Sequence, residues 1–307
     1  MWAVSLGGSG LFLELRDALI RKAECLRGGY ARAMIHSRMD FHSPALGMGT
    51  SAVVLYPQQT DGQIGMAGGI TLDESGEPRV PVLYLLHGLS DDCTGWTRRT
   101  SIERYASAKG ICVVMPEVRR SFYADEVLGE KYWTYVSEEL PALINQTFRI
   151  STAREDTFVA GLSMGGFGAM KLALNHPERF AAAGSFSGAL AVAQRDYTEF
   201  GHAMPARIWG QGLTPEAGSV YEPFFDGVEQ GAFPAIDDLN ALAREAAPGS
   251  LPKLWIGCGT EDFLLEETRA FVRTLEEAGH EHDVTYTPGA HEWAVWDEYV
   301  RRFLDWI

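Results

Sequence analysis

Residues 157–176 read TFVAGLSMGGFGAMKLALNH, and the fold is decided by how that stretch is parsed. Its opening is a short apolar run of strand character. Gly161, Ser163 and Gly165 then form G-x-S-x-G, and a helical pattern starts at once, with no loop between. A strand running through a serine-tipped turn straight into a helix is the context that makes this motif a nucleophile elbow. The reason is steric: the serine takes a strained backbone conformation, and glycines on either side let strand and helix approach. A bare G-x-S-x-G also arises by chance as a glycine-rich turn, and the flanking strand and helix separate the two cases.

Similar apolar runs recur on both sides: VPVLYLLHG (80–88), ICVVMP (111–116), FAAAGSFSG (180–188), LPKLWIGCG (251–259) and VTYTPG (284–289). Near-continuous apolar strands alternating with amphipathic helices predict an α/β fold whose mostly parallel central sheet is buried on both faces. The helical patterns fall at 99–108, 131–148, 164–175, 265–278 and 292–306. Upstream, ARAMIHSRMDFHS (31–43) and GTSAVVLYP (49–57) have period two and predict an N-terminal antiparallel hairpin turning near Leu46-Gly47.

Residues 1–32 look different, with a Gly/Ser opening, a helical stripe of Leu11, Leu15, Leu19 and Ile20, and a Gly28-Gly29 stop. They read as an N-terminal extension, to which Met34 offers an alternative start, and residues 33–307 read as one domain. Within that domain the Gly-, Pro- and aromatic-rich stretch at about 188–250 is too long for a connection. It reads as a lid insertion over one end of the sheet.

The chain has 307 residues, 46% of them hydrophobic and 22% charged, enough to bury a large core, and carries a net charge of −15. Such a surface repels a polyphosphate backbone, so no nucleic-acid partner is expected. No apolar run approaches the roughly 20 residues of a membrane span, and the N-terminus lacks the early positive charge of a secretory signal. Cys25, Cys93, Cys112 and Cys258 are scattered, with no zinc-like spacing, and read as buried free thiols of a cytoplasmic protein. His280 and His282 have no third ligand nearby in sequence, so no metal is expected. A homo-oligomer stays open.

A serine hydroxyl needs a base, and the base needs an orienting acid. His291, in TPGAHEWAVW, lies after the last strand and before the terminal helix, on the sheet edge that carries Ser163. Glu261 and Asp262 follow the preceding strand, and Asp262 is preferred because it abuts the apolar Phe263-Leu264. Two amides are candidates for the oxyanion hole: Met164 just after the elbow, and Leu89 in the loop opened by His87-Gly88. His87 reads as a brace for that loop beside the substrate, with Gly88 in the same turn. Trp96, Tyr123, Trp133 and Trp293 are candidate pocket walls, the alternative for each being an ordinary core aromatic.

Taken together, HGLSDD followed by Trp96, PEVRRSFYAD (116–125), REDTFVAGLSMGGFGAMKLAL (154–174), HPERF (176–180), GTEDFLL (259–265) and GAHEW (289–293) resemble the esterase D group of α/β-hydrolases. The pattern is nearest to that of tributyrin esterases and covers about residues 33–307. The resemblance implies a serine carboxylesterase acting on short acyl esters of the tributyrin, acetyl or p-nitrophenyl type. It implies no cofactor, and a triad of Ser163, Asp262 and His291. The group also contains S-formylglutathione hydrolases, feruloyl and acetylxylan esterases and mycolyltransferases. The S-formylglutathione branch usually carries histidine where this chain has Leu162 and Phe167, which argues against that substrate. Two other outcomes stay open: a thioesterase or acyltransferase of the same fold, or a catalytically silent hydrolase fold used for binding.

Overall fold

The computed structural model describes residues 31–60, 79–195, 207–210 and 233–307. Cys25 and the rest of the extension up to residue 30 lie outside the described residues, as do 196–206 and 211–232 of the insertion. The apolar runs all form strands. They are β1 (Ala31–Ser43), β2 (Met48–Thr60), β3 (Val82–Leu86), β4 (Cys112–Pro116), β5 (Thr157–Leu162), β6 (Ala182–Phe186), β7 (Lys253–Gly259) and β8 (His282–Thr287). They join in the order β1-β2-β4-β3-β5-β6-β7-β8. β1 and β2 form the antiparallel hairpin, β2 meets β4 antiparallel, and every pair from β4 to β8 is parallel.

Two-residue periodicity splits each central strand between two cores. Val82, Tyr84 and Leu86 of β3 enter one cluster, while Leu83 and Leu85 enter the other. Each buried valine or leucine is worth about 1.5–3 kcal/mol of transfer free energy. Helices α1 (Gly95–Arg99) and α2 (Ile102–Lys109) cover one face with the terminal helix α7 (Trp293–Trp306). The other face carries α3 (ending Leu140–Thr147), α4 (Met164–Asn175), α5 (Leu239–Glu245) and α6 (Leu265–Glu277). Among the described residues no helix is long and apolar enough to cross a membrane.

Three local expectations needed correction. The helix expected at 99–108 begins only at Ile102, after a separate short helix that ends at Arg99, because Thr100 is extended (φ −135°) and the Ser101 N–H is captured at 2.9 Å by Asp297 of α7. The helix expected at 131–148 runs as Tyr132–Thr134, a π-helical turn Tyr135–Glu139 and Leu140–Thr147. Pro141 has no N–H for the carbonyl of Ser137, and Arg179 supplies the missing donor to that oxygen at 2.6 Å. α5 was not anticipated within the irregular stretch. Asp238 caps it by accepting the Ala241 N–H at 3.0 Å, and the helix packs on α4 and α6. An aspartate before LNALARE was the available signal.

The parallel register is what gathers the functional loops. Leu86 pairs with Gly161, Leu162 with Phe186, Phe186 with Gly257 and Gly259 with Thr287. The loops after β3, β5, β6, β7 and β8 therefore emerge side by side at one edge.

Candidate active site

Ser163 sits between β5 and α4 at φ 54°, ψ −117°, a conformation side chains rarely adopt. Its surroundings hold it there. The Ser163 N–H donates to the Phe186 carbonyl at 2.9 Å, and the Ser163 carbonyl accepts from Ala189 at 3.2 Å. The flanking glycines are needed for closeness: a Cβ on Gly161 would lie 2.4 Å from the Gly165 carbonyl oxygen, and one on Gly165 would lie 2.3 Å from that of Leu86.

The loop after β8 brings His291 Nε2 to 3.0 Å from Ser163 Oγ. On the other side of the ring, Nδ1 lies 2.9 and 3.1 Å from the two oxygens of Asp262. An ionised carboxylate only accepts, so Nδ1 carries the proton and Nε2 is free to accept the serine hydroxyl. The Asp262 side chain is fully buried while that of His291 is 18% exposed. Burial pushes the Asp262 carboxyl up, but hydrogen bonds from His291, the Leu264 N–H and the Ser187 hydroxyl outweigh it and hold the group below its ordinary range. Glu261 plays a different part. Its exposed carboxylate accepts the Gly289 N–H and the Thr260 hydroxyl, shaping the turn that carries His291.

The His87-Gly88 loop presses on the elbow, since a Cβ on Gly88 would lie 3.6 Å from Ser163 Cβ and 2.5 Å from Leu162 Cδ1. Among the described residues neither the Leu89 nor the Met164 N–H donates to another protein group. Met164 opens the N-terminus of α4, where the first N–H groups have no partner within the helix.

His87 braces its loop, and three of the proposed pocket walls take other places. His87 is buried, with Nε2 accepting the Val118 N–H at 3.1 Å and Nδ1 donating to the Gly88 carbonyl at 2.8 Å, so it ties two loops together. Trp96 is fully buried and its indole N–H donates to the Leu86 carbonyl. Tyr123, also fully buried, donates its hydroxyl to the His87 carbonyl and lies against Gly168. Trp133 stacks on His176, at the far end of α4, about 20 Å of helix from Ser163. His87, Trp96 and Tyr123 support the site from behind instead of lining it, and Trp133 lies away from it. Trp293 alone is half-buried near the catalytic edge, edge-on to Trp96 and Trp296 at 5.3 Å.

Three neighbours were not foreseen. Trp296 meets the His291 ring edge-on at 4.8 Å and donates its indole N–H to Ser187 Oγ at 3.2 Å. Ser187, buried at φ 49°, follows β6 at the same edge. Phe263, largely exposed, has its ring centroid 4.5 Å from that of the imidazole. The rule that parallel strands converge their carboxyl ends would have flagged Ser187 and Phe263. A cavity of about 530 Å³ lined by Leu251, His280, His282 and Trp306 opens at the beginnings of β7 and β8, the opposite edge from Ser163.

The described cysteines, Cys93, Cys112 and Cys258, are free and buried, and burial pushes their thiols up to about 11, about 12 and about 11. Alkylation requires the thiolate, whose share at pH 8 is on the order of one in a thousand or less for each. Raising the pH would populate it and lowering the pH depletes it further. Iodoacetamide at pH 8 should leave the hydrolytic rate of the native protein intact. Alkylation mapped to Cys93, Cys112 or Cys258 with loss of most activity would contradict this burial.

Comparison with known proteins bears on this geometry. Residues 71–304 match the family described as "Putative esterase". An acetyl esterase from Caldicellulosiruptor saccharolyticus is 30% identical over 237 residues, covering 73% of this chain and 82% of that protein. The diacylglycerol acyltransferase/mycolyltransferase Ag85B of Mycobacterium intracellulare is 28% identical, covering 73% of each chain. Among solved structures, the fluorophosphonate-binding serine hydrolase FphF of Staphylococcus aureus superimposes with TM-score 0.68 at 30% identity, over 89% of this chain and 98% of that one. The S-formylglutathione hydrolase FrmB of the same organism gives TM-score 0.66 at 29% identity, with the same coverages.

Proposed function

The chain belongs to this esterase D-like family of α/β-hydrolase-fold carboxylic ester hydrolases, and from that premise we propose that it cleaves short-chain acyl esters through Ser163, His291 and Asp262. The observation that carries this reading is the unbroken hydrogen-bonded series from Ser163 Oγ through His291 to the buried Asp262 carboxylate. Ser163 attacks the ester carbonyl while His291 Nε2 takes its proton. Negative charge gathers on the carbonyl oxygen, which the Leu89 and Met164 amides receive. The tetrahedral intermediate collapses, His291 returns the proton to the departing alcohol, and an acyl-serine remains. Water, deprotonated by the same imidazole, releases the acid. Asp262 keeps Nδ1 protonated and the ring aimed at Ser163 throughout.

In the same reading, residues 33–307 are one catalytic domain and the insertion at about 188–250 helps enclose the substrate. One described part of it is tied to the rest of the domain: Val127 and Leu128 donate to the carbonyls of Ile208 and Arg207 at 3.1 and 3.0 Å. The unpaired buried thiols support a reducing, cytoplasmic setting.

A fluorophosphonate probe tests the reading, with peptide mapping of the adduct and rates on acetyl, butyryl and longer p-nitrophenyl esters. Labelling of Ser163 and a preference for the short chains are expected. No adduct would favour a silent binding fold. The likeness to a mycolyltransferase favours a second reading, in which an alcohol instead of water accepts the acyl group. Partition of product between acid and new ester in the presence of added alcohols distinguishes the two.

A further inference from the structure

Phe263 is the side chain at this site that burial does not explain. It is 75% exposed, although it directly follows Asp262, whose side chain is fully buried. A lone exposed phenylalanine ordinarily needs no account. This one, however, lies with its ring centroid 4.5 Å from that of His291, whose Nε2 is 3.0 Å from the serine oxygen. The imidazole also meets Trp296 edge-on, and Trp296 is only 5% exposed. One aromatic neighbour of the base is therefore sealed in the core, and the other is left open.

The chemistry tells which half of a substrate meets that open ring. On the reading of Ser163 and His291 above, on which this inference rests, the acyl carbon is bonded to Ser163 Oγ and its carbonyl oxygen faces the Leu89 and Met164 amides. The leaving oxygen must come within hydrogen-bond reach of His291 Nε2, about 2.6–3.2 Å, to receive the proton. The alcohol half thus departs past the imidazole, where Phe263 stands. We propose that Phe263 is a specificity-determining shelf for the alcohol half of the ester, selecting alcohols that carry an apolar ring over small ones. Stacking against the exposed face removes apolar surface of both rings from water, and the tilted or edge-on geometry that aromatic pairs prefer is available there. Acyl-chain preference is set elsewhere and does not depend on Phe263.

The test uses the full-length protein, its Phe263→Ala and Phe263→Trp variants, and three esters: ethyl butyrate, benzyl butyrate and ethyl hexanoate. The readout is kcat/KM from acid release. In Phe263→Ala the benzyl-to-ethyl ratio at fixed butyryl should fall about tenfold, carried mainly by KM. The hexanoate-to-butyrate ratio at fixed ethyl should stay put, and Phe263→Trp should retain the benzyl preference. If Phe263 served only to steady His291, all three esters would lose kcat together and the benzyl-to-ethyl ratio would not move; that outcome overturns the shelf. A parallel fall of both ratios overturns it too. Wild-type protein that turned over none of the three esters and took no label at Ser163 would instead remove the nucleophile assignment, and the shelf with it.

Discussion

Ser163→Ala should lower kcat/KM for p-nitrophenyl butyrate by on the order of 10⁴ or more while leaving the fold intact. Alanine keeps the Cβ that the elbow already accommodates at φ 54° and deletes only the oxygen that lies 3.0 Å from His291 Nε2. The amides at Leu89 and Met164 remain, and free binding plus oxyanion stabilisation sustain some residual rate over water. The loss is not additive with His291→Ala or Asp262→Ala, since the three act as one unit. The check is a spectrophotometric rate on purified variant, with thermal unfolding alongside. Wild-type-like turnover would refute the assignment of the nucleophile.

The largest effect on stability is expected at Lys171, in the middle of α4. Its side chain is fully buried, it forms an ion pair with Asp237, and Nζ donates to the Tyr123 carbonyl at 2.8 Å. The ammonium also lies 4.4 Å from the centre of the Trp133 ring. Burial pulls the Lys171 pKa down, and Asp237 works against that pull. Lys171→Ala would leave the Asp237 carboxylate, itself 3% exposed, without its countercharge. Breaking one side of a buried pair costs about 3–5 kcal/mol. Urea unfolding should show that loss, and Lys171→Met combined with Asp237→Leu should recover much of it by replacing the pair with apolar packing. A change below about 1 kcal/mol in Lys171→Ala would mean that water reaches the carboxylate. Asp237 also accepts the Trp209 indole N–H at 3.0 Å, so the pair fastens two described parts of the insertion to the helix that begins at the nucleophile.

Lys171 also marks where reading residues one at a time stops working. In FGAMKLALNH a lysine looks like the solvent-facing residue of an amphipathic helix, yet α4 is buried on all sides from Met164 to Leu174. The insertion supplies Asp237 from more than sixty residues away. The aromatic candidates failed for a related reason. Trp96, in α1 just after the β3 loop, and Tyr123 do lie near the catalytic edge, as their positions implied, but their polar atoms turn inward to the carbonyls of Leu86 and His87. Position along the chain reports which edge a residue belongs to, not which way its side chain faces.

What the amino-acid sequence determined alone was local or periodic. Alternating apolar runs specified strands buried on both faces, and glycines flanking Ser163 specified the elbow. The parallel order of strands then assigned Ser163, Asp262 and His291 to neighbouring loops, because parallel strands linked by crossovers end on the same edge. The tertiary structure alone decided what depends on direction and on distant partners: Asp262 turned toward His291 while Glu261 turned to Gly289, the helix broken where Asp297 caps Ser101, the buried pair of Lys171, and Phe263 left open beside the base. Patterns of hydrophobicity encode which face is buried. Hydrogen bonds and ion pairs between residues far apart in the chain exist only once packing has brought their partners together.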